Sequence, residues 1–194
     1  MLIRFPCFQR IVCMMKIMMK CLKAFEGRKL GLWIDLTRAD SYYHDEEVKK
    51  RGCIYHKIPL FGHDTSPTRE ETARFVRLVQ NFTRNHPGEI VGVHCTHGLD
   101  RTGFLIVAYM AIAMKWIVAS MVLTFAKASP CGIYKQDYLV AMFESYGNAN
   151  ECLEAPKEPS WEYSDAVGYD DSSEASTSVS HENTEGTERS EAGN

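Results

Sequence analysis

The sequence predicts an α/β domain built on a central, mainly parallel sheet flanked by helices, and three observations carry that prediction. Short apolar runs alternate with helix-like stretches: GLWIDL (31–36), CIYHKIPL (53–60) and EIVGV (89–93) stand in that order along the chain, as strand–helix–strand crossovers require. GLWIDL is a nearly unbroken apolar run, which is how a strand covered by helices on both faces reads. The third run leads into CTHGLDR and then a long apolar helix, and open α/β sheets build their sites at the C-terminal ends of their strands. A length of 194 residues with 45% hydrophobic content suits one such domain and hardly two.

Taken in order, residues 1–17 are basic and apolar and specify no element. Arg10 and Lys16 cut the run into pieces too short to cross a bilayer, and no small-residue cleavage site follows, so no membrane association is predicted. Met18, Leu22 and Phe25 at helical spacing predict a short helix over 18–25. The first strand, 31–36, is interrupted near its end by Asp35, whose expected task is to hydrogen-bond loop backbone; organising the substrate loop is the functional alternative. Tyr42 and Tyr43 are expected to pack a loop rather than stack on a base, and a polar helix spans 45–51, closed by Gly52. The second strand runs from Cys53 to Leu60 and is stopped by Pro59. Thr68 and Glu71 form a capping box ahead of Phe75, Val76, Val79 and Phe82, which share one helical face. That helix ends at Asn85-His86-Pro87-Gly88, with Arg69, Arg74, Arg77 and Arg84 mostly off its apolar stripe, on a face read as solvated or, more sharply, as an edge facing a polyanion. Ile117 to Ala128 predicts a buried helix. Tyr134 to Tyr146 predicts an amphipathic one with Tyr138, Leu139, Met142 and Phe143 inward, and Lys135 near the mouth of the Cys95 loop. From residue 149 to 194 the composition turns to Ser, Glu, Thr and Gly, a tail expected to be disordered.

Charge is unevenly spread. From Glu151 onward there are twelve acids against Lys157 and Arg189, whereas Met1 to Lys29 holds seven bases against Glu26. The remainder is nearly neutral, so net charge points to no polyanionic partner and any such groove depends on local arginines and lysines. The seven cysteines (7, 13, 21, 53, 95, 131 and 152) show no CxxC pair and no zinc-type spacing with histidine. They read as reduced thiols, and neither a metal nor another cofactor is predicted.

The chemistry concentrates between Cys95 and Arg101, which are separated by Thr96, His97, Gly98, Leu99 and Asp100. A loop of that length closing onto a helix N-terminus turns backbone N–H groups inward around an anion, and the helix dipole adds its positive end. A thiol in that field is stabilised as its anion, which makes Cys95 the predicted nucleophile. Arg101 supplies a planar, permanently charged fork matched to two oxygens of a phosphoryl group. Thr102 can give Cys95 a hydroxyl hydrogen bond that eases its departure from a phosphocysteine. Gly98 and Gly103 permit close backbone approach, and His94 fixes the loop from behind. The predicted site is therefore Cys95 and Arg101 as catalytic residues, Thr96, His97, Gly98, Leu99, Asp100, Arg101 and Thr102 around the phosphate, and His94, Asp35 and Gly103 in support.

HCTHGLDRTGFLIVAYM resembles the signature of the cysteine-dependent phosphatases and, more narrowly, the RNA 5′-triphosphatase domain of animal mRNA capping enzymes, whose loop reads HCTHGxNRTG. GLWIDLT (31–37), the FGH before Asp64 and GIYKQDYL (132–139) also match, so the resemblance runs from about Met18 to Tyr146. It departs in two places: Asp100 stands where the family has asparagine, and the family's N-terminal segment is not recognisable before Met18. The resemblance implies a cysteine-phosphatase-like fold with an RNA triphosphatase domain over 18–148. It implies a metal-independent reaction in which Cys95 takes the γ-phosphate of 5′-triphosphate RNA, as the first step of mRNA capping in the nucleus. It also places a movable acid-bearing loop at FGHDTSPT, making Asp64, with His63 beside it, the candidate proton donor, although Thr65-Ser66-Pro67 equally reads as a helix start that an aspartate caps. The chain has no KxDG nucleotidyl-lysine motif, so the implied partners are triphosphate-ended RNA and a guanylyltransferase or the transcription machinery in trans. Two other readings use the same loop. One is a dual-specificity protein phosphatase; the other is an inactive module binding RNA ends or a partner, in which the charge of Asp100 has spoiled turnover.

Overall fold

Each apolar run becomes a strand, and the strands share one direction. The computed structural model describes residues 2–3 as backbone only, together with 28–38, 43–62, 65–129 and 131–159. Strands β1 (Leu2–Ile3), β2 (Leu30–Asp35), β3 (Ile54–Lys57) and β4 (Ile90–His94) form a sheet in the order β1-β4-β2-β3 in which every pairing is parallel. β2 and β4 lie at its centre and are buried at every position, which is the physical origin of their apolar character. In register, Asp35 pairs with Lys57 on one side and His94 on the other.

The helices are α1 (Asp45–Lys49), α2 (Arg69–Asn85), α3 (Asp100–Met114), α4 (Val118–Ala128) and α5 (Gln136–Tyr146). α3 packs against α2, α4 and α5 and is buried continuously from Thr102 to Tyr109. α2 begins as its capping box predicts: Thr68 accepts from the Glu71 amide, and the Glu71 carboxylate accepts from the Thr68 amide at 2.8 Å. Its Phe75, Val76, Val79 and Phe82 face the core, as do Tyr138, Leu139, Met142 and Phe143 of α5. Fully burying a side chain such as Phe75 or Phe104 contributes roughly 1.5–3 kcal/mol. No helix among the described residues is long and apolar enough to cross a membrane.

The structure departs from expectation at several points. Leu2 and Ile3 pair with Val91 and Gly92, so a domain starting at residue 18 omits an edge strand whose two residues are too few for any periodic pattern. The chain stays on the fold past residue 149. Ala149–Glu151 forms a 3-10 turn, Cys152, Leu153 and Ala155 pack against the core, and Gln136 brackets this strap by donating to the Leu153 carbonyl and accepting from the Ala155 amide. Composition averaged over a window hides such isolated apolar anchors. The helix expected to be buried, α4, fully buries Val118, Val122 and Phe125 and packs Ala119 and Met121 partly against the core, leaving Leu123 and the preceding Ile117 exposed, the latter by 67%. α5 starts two residues later than expected, and β3 is shorter, although the amides of Ile58 and Leu60 continue bonding to the carbonyls of Asp35 and Leu36. The helix expected over 18–25, Tyr42, His63, Asp64 and residues 160–194 lie outside the described residues.

Candidate active site

The end of β4 delivers Cys95 to the floor of the loop, where its side chain is only 3% exposed. Two donors converge on its Sγ: the Gly98 amide at 3.3 Å and the Thr102 hydroxyl at 3.1 Å. Gly98 has φ +72°, a left-handed conformation that a side chain would strain and that turns its N–H back toward the sulfur. Donors aimed at a sulfur are what a thiolate nucleophile and leaving group requires. Leu99 is the N-cap of α3 and makes no side-chain cap bond; its own side chain is fully buried, so what it brings to the loop is backbone. The positive end of the helix dipole therefore opens into the loop without a side-chain cap.

Arg101 spans the mouth. Its Nη2 donates to Thr96 Oγ1 at 2.8 Å and its Nη1 to the Leu60 carbonyl at 3.4 Å, tying the loop to the chain beyond β3. His97 stands exposed on the rim. Gly103 lies on the first turn of α3 where a Cβ would come within 2.7 Å of both Phe125 and Ile133, so only glycine lets the helix approach its neighbours this closely.

On the strand side a side-chain network backs the loop. Asp35, 3% exposed, accepts at Oδ1 from the amide and hydroxyl of Thr37 (2.8 and 2.7 Å) and at Oδ2 from the Tyr55 hydroxyl at 3.0 Å. Lys57 Nζ lies 3.7 Å from Oδ2. His94, 1% exposed, has Nδ1 at 3.4 Å from the Cys95 carbonyl and Nε2 at 2.7 Å from the Tyr43 hydroxyl. Burial holds its pKa below the usual histidine value, against the opposing pull of Asp35. A neutral ring donating from Nδ1 to the carbonyl leaves Nε2 to accept from Tyr43, whose oxygen in turn accepts from the Trp33 indole at 2.7 Å. Burial raises the Tyr43 pKa, keeping that hydroxyl protonated as the relay needs.

On the helix side Asp100 is tied to backbone: Oδ1 accepts from the amides of Tyr134 at 3.0 Å and Lys135 at 3.2 Å. A buried carboxylate without donors is costly, and these two amides are the donors it takes. Burial pushes its pKa up to about 6, with the Lys135 and Tyr134 donors pulling the other way. Nearby, the Tyr138 hydroxyl donates to the Thr65 carbonyl at 2.7 Å, fastening α5 to the chain just after the predicted acids Asp64 and His63, which are not among the described residues.

Sequence reasoning passed over Trp33, Tyr55, Lys57 and the Leu60 carbonyl, and gave Tyr43 only a packing role. Part of the signal was available: Tyr55 and Lys57 are two apart in a strand, hence on one face, and β3 neighbours β2. Among the described residues no three His, Cys, Asp or Glu side chains cluster as metal ligands would, and Cys53, Cys95 and Cys152 are free thiols.

The chain matches no protein-family profile. It is 46% identical over 143 residues to an mRNA-capping enzyme of Caenorhabditis elegans, across 73% of this chain and 23% of that protein; it thus spans under a quarter of that relative. It is 34% identical over 114 residues to a tyrosine-protein phosphatase of Autographa californica nuclear polyhedrosis virus, across 59% of this chain and 67% of the viral protein. The crystal structure of Tk-PTP in its active form superposes with a TM-score of 0.55 at 19% identity, across 75% of this chain and 89% of that one, a likeness of fold alone.

Proposed function

The chain belongs to the cysteine-dependent tyrosine-phosphatase family, and from that premise we propose that it is a metal-independent RNA 5′-triphosphatase. The observation that carries the chemistry is the convergence of the Gly98 amide and the Thr102 hydroxyl on a buried Cys95 Sγ beneath the N-terminus of α3. Support for an RNA substrate is the higher identity to a capping enzyme than to the viral phosphatase.

In this reading Cys95 Sγ attacks the γ-phosphorus in line. The S–P bond forms as the bond to the β–γ bridging oxygen breaks, and diphosphate-ended RNA leaves with that electron pair. Arg101 turns from Thr96 and the Leu60 carbonyl to two equatorial oxygens, and loop N–H groups hold the developing charge. Water then attacks phosphorus, the S–P bond breaks, and Thr102 receives the thiolate by hydrogen bond. The neutral His94 holds the Cys95 carbonyl, and so the loop, in place throughout. The two amides that Asp100 takes from Tyr134 and Lys135 support an active loop over an inactive one. Capping chemistry would set the reaction in the nucleus, with a guanylyltransferase or the transcription machinery as partner in trans. The viral relative favours one alternative, a protein phosphatase using the same loop.

The deciding assay is phosphate release from triphosphate-ended RNA against a phosphotyrosine peptide, both in EDTA. RNA is the better substrate and its hydrolysis persists, because Arg101 and the loop dipoles supply the charge. A departing diphosphate needs little protonation, so Asp64→Asn slows the RNA reaction by less than about tenfold, whereas aryl phosphate hydrolysis loses the roughly 10²–10⁴-fold that general acids contribute. A thousandfold loss on RNA would make Asp64 an essential acid, and metal-dependent release would point to different chemistry.

A further inference from the structure

Beside the Cys95 loop the ends of β2 and β3 run together. The Leu60 amide bonds the Leu36 carbonyl, and the Leu60 carbonyl accepts from Arg101. Leu36 and Leu60 are buried, yet the next residue after Leu60, Phe61, is 57% exposed. Two residues beyond Leu36 stands Arg38, also exposed, with its guanidinium carbon 4.3 Å above the centroid of the Phe61 ring. No carboxylate holds Arg38 among the described residues; the aromatic face does. An exposed ring and a guanidinium that pairs with no carboxylate among the described residues thus stand together beside an anion-binding loop, one peptide away from a carbonyl that touches Arg101.

Given the RNA triphosphatase reading, on which this rests, we infer that Phe61 and Arg38 form the subsite for the first nucleotide of the substrate: the ring stacks its base and the guanidinium meets its α- or β-phosphate. A nucleotide carries a flat π surface and negative charge close together, the complement of this pair. Geometry separates it from an aryl phosphate. A phosphotyrosine ring is bonded directly to the reacting phosphate and enters the loop with it, whereas a ribose and two further phosphates lie between the γ-phosphorus and a base, which therefore comes to rest outside the loop. Stacking on a ring accepts every base, so the subsite grips the first nucleotide with little sequence preference.

The test measures equilibrium binding to the full chain carrying Cys95→Ser, with three probes: a 5′-triphosphate trinucleotide, inorganic tripolyphosphate and phenyl phosphate. Adding Phe61→Ala weakens the trinucleotide by at least about fivefold, the lower end of one base–aromatic stack, leaves tripolyphosphate within about twofold, and is rescued by Phe61→Trp. Arg38→Ala weakens both triphosphates, and Arg38→Lys restores only part of the loss. Both side chains are exposed, so the variants fold. Equal weakening of trinucleotide and tripolyphosphate by Phe61→Ala, or no weakening of either, overturns the subsite. Weakening of phenyl phosphate alone overturns it in favour of an aryl ring on a protein substrate. Turnover of triphosphate-ended RNA by the unmutated chain is read separately: an inert enzyme that still loses trinucleotide affinity on Phe61→Ala sinks the reaction and keeps the subsite.

Discussion

The two flanks of the Cys95 loop each bury a carboxylate, and they satisfy it in different ways. On the strand flank Asp35 is held mostly by side chains, from Thr37, Tyr55 and Lys57, with the Trp33–Tyr43–His94 relay alongside. On the helix flank Asp100 takes backbone amides from Tyr134 and Lys135. A network of side chains fails when one member is cut, because the others are left buried without partners. Backbone donors are present whatever the sequence, so that flank tolerates any acceptor of the right shape. The strand flank is accordingly the fragile one.

The largest effects fall between the flanks, at the reacting groups. Cys95→Ser abolishes turnover, since an alkoxide is neither formed at neutral pH nor a good leaving group, and Arg101→Ala lowers kcat at least the roughly 10²–10³-fold of a lost transition-state donor. If substitutions on either flank matched these losses in kcat without unfolding the chain, the division between reacting loop and supporting flanks would collapse. Next comes Asp35→Ala, expected to cost about 3–5 kcal/mol in urea unfolding because it removes the buried carboxylate on which Thr37, Tyr55 and Lys57 converge. A cost no greater than that of Asp100→Ala would erase the contrast.

The smallest effect sharpens it through pH. The Asp100 carboxyl sits at about 6 in the folded chain against a reference near 3.8, so between those values the folded state keeps a proton that the unfolded state has released. Stability therefore falls as pH rises through that window and levels off above it, by on the order of 2 kcal/mol once solvent screening of its exposed edge is allowed for. Asp100→Asn keeps the acceptor oxygen but cannot titrate, so its urea midpoint should gain on the parent from pH 4 to 6 and hold steady above. A parent that gains on the variant over that range would reverse the assignment.

What could be read in the sequence was whatever a short stretch decides by itself. The strand–helix alternation, the Thr68–Glu71 cap and the inward faces of α2 and α5 are local patterns, and the parallel sheet follows from them. The spacing of Cys95, Thr102 and Gly103 was legible for the same reason, because the loop and the first turn of α3 are contiguous. The partners of Asp100 were not legible, because Tyr134 and Lys135 lie 34 and 35 residues away and nothing near residue 100 says which way its side chain turns. The Tyr43–His94 bond crosses 51 residues and is invisible until β2 and β4 are paired. β1 was too short to register, and the strap after α5 was diluted by the acids around Leu153.

Gly103 bears on more than packing. With Phe125 and Ile133 seated where its Cβ would be, the first turn of α3 rests on those side chains as a shaft rests in a bearing. Thr102, whose hydroxyl stands 3.1 Å from the sulfur, is the next residue along. The positional tolerance of the reacting atom is thus set on the far side of the helix by an aromatic ring that never meets the substrate. A single methyl group at position 103 would shim the turn off its seat and be read out, a residue away, as a misaligned nucleophile.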